Sequence, residues 1–356
     1  MYRDTEEDIK REYKVTGGRA EGKRRDVSGF DGEASGGQER TRENDIWGKA
    51  YQIVTKRFGI KKRECLDTQG QLEWAKKLFL NEDKEDGEKT WEKRLTEDIL
   101  EFTLDELVKA TKRLKNRKAP GLDQIVNEVL RVVVDEVPET VLRVMNACLS
   151  KGDFPRNWKK AKLVLIPKHS EVEGEKKYRP ICMLSTVGKL LERLLCERIR
   201  AEVEARGGLS DRQYGFREHK STTDAVTKVV ELTREATKGS YKSKKLGIMI
   251  SFDVRNAFNS APWDKIIKAL EERQVPAYLI KMVEGYFQDR VLVVGEDQTE
   301  MRLSRGVPQG SVLGPLLWNV FYDGVLRLKM ARETETIAYA DDLALIVTAK
   351  DAGRLV

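Results

Sequence analysis

The sequence predicts an α+β chain in which a mixed or antiparallel sheet carries helices on one face. Three observations predict it. Short apolar runs of strand length, Ala161–Ile166, Leu246–Phe252, Thr336–Ala340 and Leu343–Val347, interrupt segments whose apolar residues recur at helical spacing. From about residue 246 the order reads strand, helices, strand pair, helix, hairpin, which suits one sheet covered by helices. Hydrophobic residues make up 40% of 356 residues, enough for a sizeable core.

Along the chain, residues 1–45 are rich in Gly, Arg, Glu and Asp and nearly free of large apolar side chains, which predicts a disordered, charged leader. Residues 46–160 read as a helical extension. It begins with sparse aromatics (Trp47, Tyr51, Phe58, Trp74, Phe79, Trp91) in a charged background. Thr103 and Glu106 have capping-box spacing ahead of Leu104, Leu107, Val108 and Leu114 on one helical face. Pro120-Gly121 breaks the chain, Asp123 is expected to cap the next helix, and Pro138 to open another that ends near Gly152.

Residues 161–356 read as the α+β domain proper. Ala161–Ile166 is a strand. Leu190, Leu191, Leu194, Leu195 and Ile199 mark an amphipathic helix ending at Gly207-Gly208, and a second helix follows Ser221-Thr222-Thr223. Leu246–Phe252 is a strand of the buried type, and helices follow near 263–273 and 277–288. Val291–Val294 and Thr299–Leu303 pair around a Gly-Glu-Asp-Gln turn. A helix over 313–329 precedes the closing strands that flank Asp341-Asp342.

Charge and cysteine usage narrow the partners. Charged residues make up 35% and the formal net charge is +7, the sign of a polyanion binder, though the same balance also serves solubility. Cys65, Cys148, Cys182 and Cys196 fit neither a disulfide framework nor a Cys-x-x-Cys metal site, and His169 and His219 are the only histidines. This favours a reducing, intracellular setting and argues against structural zinc. The N-terminus has no apolar signal region, and no run approaches the roughly 18 apolar residues of a membrane span.

Chemistry concentrates in the aspartates. A tight hairpin places Asp341 and Asp342 at its tip, where their repulsion is costly unless a cation is bound. Asp253 ends another hydrophobic strand, so three carboxylates converge if the strands are neighbours, an arrangement suited to hard cations such as Mg2+. Two such ions about 3.5–4 Å apart clamp the attacking and leaving oxygens of a phosphoryl displacement. Taken alone, Asp341-Asp342 reads more readily as an ordinary turn, since Asp is a common turn residue. The Lys112-Arg113, Lys115, Arg117-Lys118 stretch could grip nucleic-acid phosphate or be a solvated helix end. Trp158, beside Lys159-Lys160, reads better as a buried anchor than as a stacking platform.

The ordered set of motifs resolves the turn. Tyr339-Ala340-Asp341-Asp342 resembles the signature box of reverse transcriptases, Phe252-Asp253-Val254-Arg255-Asn256-Ala257-Phe258 the first catalytic motif, and Gly306-Val-Pro-Gln-Gly310-Ser-Val-Leu-Gly-Pro315 the nucleotide-pocket motif. Ile166-Pro167-Lys168 and Tyr178-Arg-Pro-Ile181 resemble the fingers hairpin. With Gln213-Tyr-Gly-Phe216 and Lys118-Ala-Pro-Gly121, the details over roughly residues 95–356 resemble a non-long-terminal-repeat (LINE-type) retrotransposon, arthropod-like.

That resemblance implies the fingers and palm of a right-hand polymerase, 46–160 leading into the fingers and 161–356 forming the fingers-palm domain. It implies an RNA-directed DNA polymerase joining a dNTP to a DNA primer on an RNA template with two Mg2+ ions, Mn2+ being a substitute. Asp253 and Asp341 would hold both ions, with the Val254 carbonyl completing the coordination and Asp342 supporting the site. Lys168 and Arg179 would neutralise the triphosphate, the first as a point charge and the second as a fork. Phe258 would exclude a ribose 2′-hydroxyl, Gln309 would flank the nucleotide, and Gly310 would let backbone approach it. The setting is intracellular, in the nucleus, the cytoplasm or both, and residence at chromosomal DNA in the nucleus is implied only by the family.

The chain also departs from the family pattern. Asn259 stands where Asp is usual, and the sequence stops 14 residues after Asp342, so a missing thumb and a C-terminal truncation are expected. An apurinic-type endonuclease segment has no counterpart here. A catalytically inactive remnant that only binds RNA or DNA is the alternative reading. A group II intron-type maturase is a weaker one, since its maturase segment is absent.

Overall fold

The computed structural model describes residues 66–79, 99–167, 178–238, 244–330 and 333–350. The expected leader over 1–45 lies outside the described residues, as do Trp47, Tyr51, Phe58, Trp91 and Lys168. Among the described residues no helix is long and apolar enough to cross a membrane.

Helices dominate the first half: α1 (Thr68–Phe79), α2 (Leu104–Lys112), α3 (Asn127–Glu136), α4 (Pro138–Lys151) and the short α5 (Arg156–Lys159). The capping box forms as expected, with the Thr103 hydroxyl accepting from the Glu106 N–H and the Glu106 carboxylate accepting from the Thr103 N–H. Pro138 opens α4, and Gly152 closes it with φ 64, where a side chain is disfavoured. Asp123 does not cap α3. Its carboxylate accepts from the Ile125 N–H two residues on, a local turn that uses it up before the helix starts at Asn127.

Strands β1 (Ala161–Pro167) and β2 (Tyr178–Met183) form an antiparallel pair, followed by α6 (Thr186–Ala205) and α7 (Thr222–Thr237). Ser221 caps α7 through its own capping box with Asp224. Then come β3 (Leu246–Asp253), α8 (Ala257–Ser260), α9 (Trp263–Glu272), α10 (Ala277–Phe287), β4 (Val291–Val294), β5 (Thr299–Arg302), α11 (Gly314–Leu326), β6 (Thr334–Tyr339) and β7 (Asp342–Ala349). The main core gathers α2, α4, α6, α9, α10 and α11 around residues such as Leu107, Leu191, Leu279 and Trp318.

The single sheet expected from the sequence is two sheets. Strand pair β4–β5 joins the four-stranded sheet β2-β1-β4-β5, whose β1–β4 contact is parallel through Ala161↔Leu292 and Lys162↔Val293. Strands β3, β7 and β6 make a separate, wholly antiparallel sheet. Helices cover both of its faces rather than one. Ile337 and Ile346 pack with Ala225 of α7, whereas Ala338, the next residue on β6, belongs to the main core with Leu317 and Trp318 of α11.

Strand β3 also corrects its expected burial: all eight of its residues are exposed. Among the described residues it is the edge of its sheet, paired only with β7. An apolar run of strand length encodes pairing, while burial depends on what packs above it.

Candidate active site

Antiparallel register decides where the aspartates meet. Asp253 is the last residue of β3 and Asp342 the first of β7, and they are direct cross-strand partners. Tyr339 pairs with Asp342 in turn, so β6 and β7 are joined by the two-residue turn Ala340–Asp341, with Ala340 at φ 58. All three carboxylates therefore stand at one end of a three-stranded sheet. Like charges directly opposite one another destabilise a ladder, and oxygen donors so placed suit a hard cation.

A neighbour registers the same field. The Tyr322 phenol is pushed above its ordinary value, by burial first and then by the charges of Asp341 and Asp342. Among the described residues no three His, Cys, Asp or Glu side chains are drawn into a closed metal cluster. The register makes the aspartates neighbours; their side chains are not gathered on a common centre.

The turn is held from behind by the Gln213–Phe216 segment. The Gln213 side chain donates from Nε2 to the Ala340 carbonyl at 3.1 Å and accepts the Ala340 N–H on Oε1 at 3.0 Å. The same Oε1 accepts the Gly215 N–H at 2.9 Å, and the Trp318 indole donates to the Ala340 carbonyl at 3.1 Å. A Cβ on Gly215 would fall 2.1 Å from the Ala340 nitrogen, so only glycine allows this approach. Asn319 of α11 fixes the Gly215 carbonyl at 3.0 Å.

Val254 steps off β3 and packs against the main core. Phe258 follows Asn256, whose φ of 52 turns the chain into α8. Its ring stacks on Trp318 at 5.3 Å and meets Phe216 edge-on at 5.6 Å. The Phe258 carbonyl accepts the Val307 N–H at 2.7 Å, which ties the first motif to the loop carrying Gln309 and Gly310. Asn259 is buried, with an Oδ1 that has no hydrogen-bond partner among the described residues.

That loop bridges to the other sheet. The Gln309 carbonyl accepts the Cys182 N–H at 2.8 Å, and a Cβ on Gly310 (φ 116) would meet the Cys182 carbonyl at 2.7 Å. Gln309, Gly310 and Arg179 are exposed, and Arg179 stands on β2 opposite Ile166, three residues before Cys182. The structure thus sets Asp253, Asp341 and Asp342 at one end of a sheet without gathering their side chains, and lays Gln309 and Gly310 against the strand that bears Arg179. Lys168 lies outside the described residues. Lys112, Lys115, Arg117 and Lys118 are exposed around the end of α2, where Arg113 pairs with Glu197. Trp158 is a partly buried anchor, packed on the core and edge-on to Phe154.

Two side chains that brace the site were not read from the sequence. Gln213 belonged to a recognised motif, but its partner lies 127 residues away. Glu192, fully buried on α6, accepts the Val312 and Leu313 N–H groups at 2.6 and 3.0 Å just ahead of α11. The signal for it was a lone carboxylate four residues from both Gly188 and Cys196 within a buried helical stripe.

Comparison with known proteins bears on the family of the chain. The family profile described as Reverse transcriptase (RNA-dependent DNA polymerase) matches residues 166–355. The chain is similar to the probable RNA-directed DNA polymerase from transposon BS of Drosophila melanogaster, 32% identical over 257 residues, covering 70% of this chain and 28% of that protein. It is 29% identical over 257 residues to the RNA-directed DNA polymerase from mobile element jockey of the same fly, with the same coverage. It is also 29% identical over 316 residues to the putative 115 kDa protein in type-1 retrotransposable element R1DM, covering 85% of this chain and 30% of that protein. The chain thus spans under a third of the length of these relatives. The chain belongs to the reverse transcriptase family, in the branch carried by non-long-terminal-repeat, LINE-type retrotransposons.

Proposed function

We propose that this chain carries the nucleotidyl-transfer centre of an RNA-directed DNA polymerase. The observation that supports it best is the Asp253–Asp342 register, with Asp341 in the adjoining turn. The primer 3′-hydroxyl would attack the α-phosphate of a dNTP paired to an RNA template, releasing pyrophosphate. Two Mg2+ ions, or Mn2+ in their place, would neutralise the charge that develops on the attacking and leaving oxygens.

The residues of the chain divide the remaining work. Asp253, Asp341 and the Val254 carbonyl would supply oxygen donors, and Asp342 would support them. Arg179 and Lys168 would hold the triphosphate. Phe258, stiffened by its stack on Trp318, would present a fixed wall to the sugar 2′ position. Gln309 and Gly310, fastened to β2 at Cys182, would line the nucleotide's other side. In this reading 161–356 is the fingers-palm domain and 46–160 its lead-in, and the work on RNA and DNA takes place inside the cell, in the nucleus or the cytoplasm.

Primer extension on poly(rA)–oligo(dT) with Mg2+ tests the proposal, beside an Asp341→Ala control. Extension by the unaltered chain and none by the variant is the expected result. No extension by either, with salt-sensitive RNA binding retained, would leave the chain as a nucleic-acid binder only.

A further inference from the structure

We propose that Gln213 is the positioning residue of the aspartate turn, holding Asp341 and Asp342 in place through the backbone of Ala340. The inference rests on the polymerase reading for its kinetic consequence and on geometry for the rest. Ala340 is a non-glycine residue at φ 58, on the side of backbone space that L-residues rarely adopt. A turn strained in that way keeps its shape only if its surroundings determine it. Gln213, 1% exposed, supplies that determination: one carboxamide grips both the N–H and the C=O of the strained residue, and Asp341 is the next residue along.

The grip is specific to a carboxamide. Its oxygen takes two N–H donors, Ala340 and Gly215, while its nitrogen serves the Ala340 carbonyl. An ionised carboxylate at 213 could keep the first two bonds but has no proton for the third, and would add negative charge beside two aspartates. The clamp is itself anchored: the Tyr214 N–H reaches the Ala338 carbonyl at 2.8 Å, the Ala338 N–H reaches the Arg212 carbonyl at 2.8 Å, and Asn319 holds Gly215. Residues 212–215 thus run alongside β6 as a short parallel rail, bridged at Gln213↔Ala338. Movement of the turn would break several hydrogen bonds at once.

Three measurements on the full chain test the clamp: hydrogen exchange at the Ala340 amide, primer-extension kinetics, and RNA binding. In Gln213→Glu, exchange at Ala340 should accelerate at least about tenfold while core helices stay protected. Its kcat should fall about 10- to 100-fold, as a misplaced reacting group would give. KM for dNTP should stay within about twofold and RNA binding should be unchanged, because the nucleotide pocket and basic surface are untouched. Gln213→Met, which keeps the bulk, adds no charge and removes all three side-chain bonds, should show the same pattern. It also decides the matter if the glutamate variant does not fold.

Unchanged exchange at Ala340 would overturn the proposal. So would accelerated exchange with unchanged kcat, or a raised KM with kcat intact. A wild-type chain that extends no primer would overturn the polymerase reading alone, and the exchange measurement would still decide whether Gln213 holds the turn.

Discussion

Asp253 and Asp342 face each other across the β3–β7 ladder, so two carboxylates occupy one rung at the end of the sheet. Opposed like charges cost a few tenths to about 1 kcal/mol on a sheet surface. In EDTA, Asp342→Asn should therefore be slightly more stable than wild type, by about 1–3 °C in Tm. Added Mg2+ should raise the wild-type Tm and raise the variant's by less, because the variant keeps Asp253 and Asp341 but loses the carboxylate that supports them, and a ligand stabilises only the state that binds it. Differential scanning calorimetry in both buffers reads this.

Phe258 is braced by Trp318 on one side and Phe216 on the other. Shortening it to Val should open the space beside the sugar and lower the preference for dNTP over rNTP by about 10- to 100-fold in kcat/KM. Stability should fall by about 1–2 kcal/mol from the lost ring contacts. Single-nucleotide incorporation with matched dNTP and rNTP measures the first effect, and urea unfolding the second.

Glu192 sits fully buried, and burial pushes its carboxyl above the ordinary range despite help for the charged form from Arg290 and two backbone donors. The folded chain therefore keeps this proton to a higher pH than the unfolded chain does. Stability from this group falls as pH rises from the ordinary glutamate range, about 4.3, through the raised value. Glu192→Gln should remove that slope in urea unfolding between pH 4.5 and 8. Glu192→Ala, which strands the Val312 and Leu313 N–H groups, should cost about 1–3 kcal/mol per donor.

Glu106 gives the opposite arm. The Arg198 guanidinium, bonded to both its oxygens at 2.8 Å, holds its carboxyl below the ordinary value. Its contribution is present above the ordinary glutamate pKa and is lost as pH falls through the lowered one. Arg198→Gln should destabilise by about 1–3 kcal/mol at pH 7, with the difference shrinking in acid, as read from Tm against pH.

Local chemistry was legible in the sequence and tertiary choice was not. Thr103/Glu106, Pro138 and Gly152 announced their helix ends because caps act within one turn of chain. The order of motifs singled out Asp253, Asp341 and Asp342, and the pairing sets Asp253 opposite Asp342 with Asp341 in the adjoining turn. The division into two sheets was hidden, since Val291–Val294 carries no mark of its parallel partner β1. Asp123 misled because one carboxylate can serve a turn or a cap and only the backbone decides. Gln213 stood in view as part of a motif, but a bond spanning 127 residues has no local signature.

The most direct test of the central claim is to count divalent cations where the nucleotide is joined. Mn2+ titration followed by electron paramagnetic resonance, with RNA template, a dideoxy-terminated DNA primer and the next dNTP present, gives that count. The wild-type complex should hold two Mn2+ ions as a magnetically coupled pair, about 3.5–4 Å apart and one of them carried in by the dNTP, and the Asp253→Asn, Asp341→Asn double variant should show no coupled pair. Equal coupling in wild type and double variant would contradict the central claim.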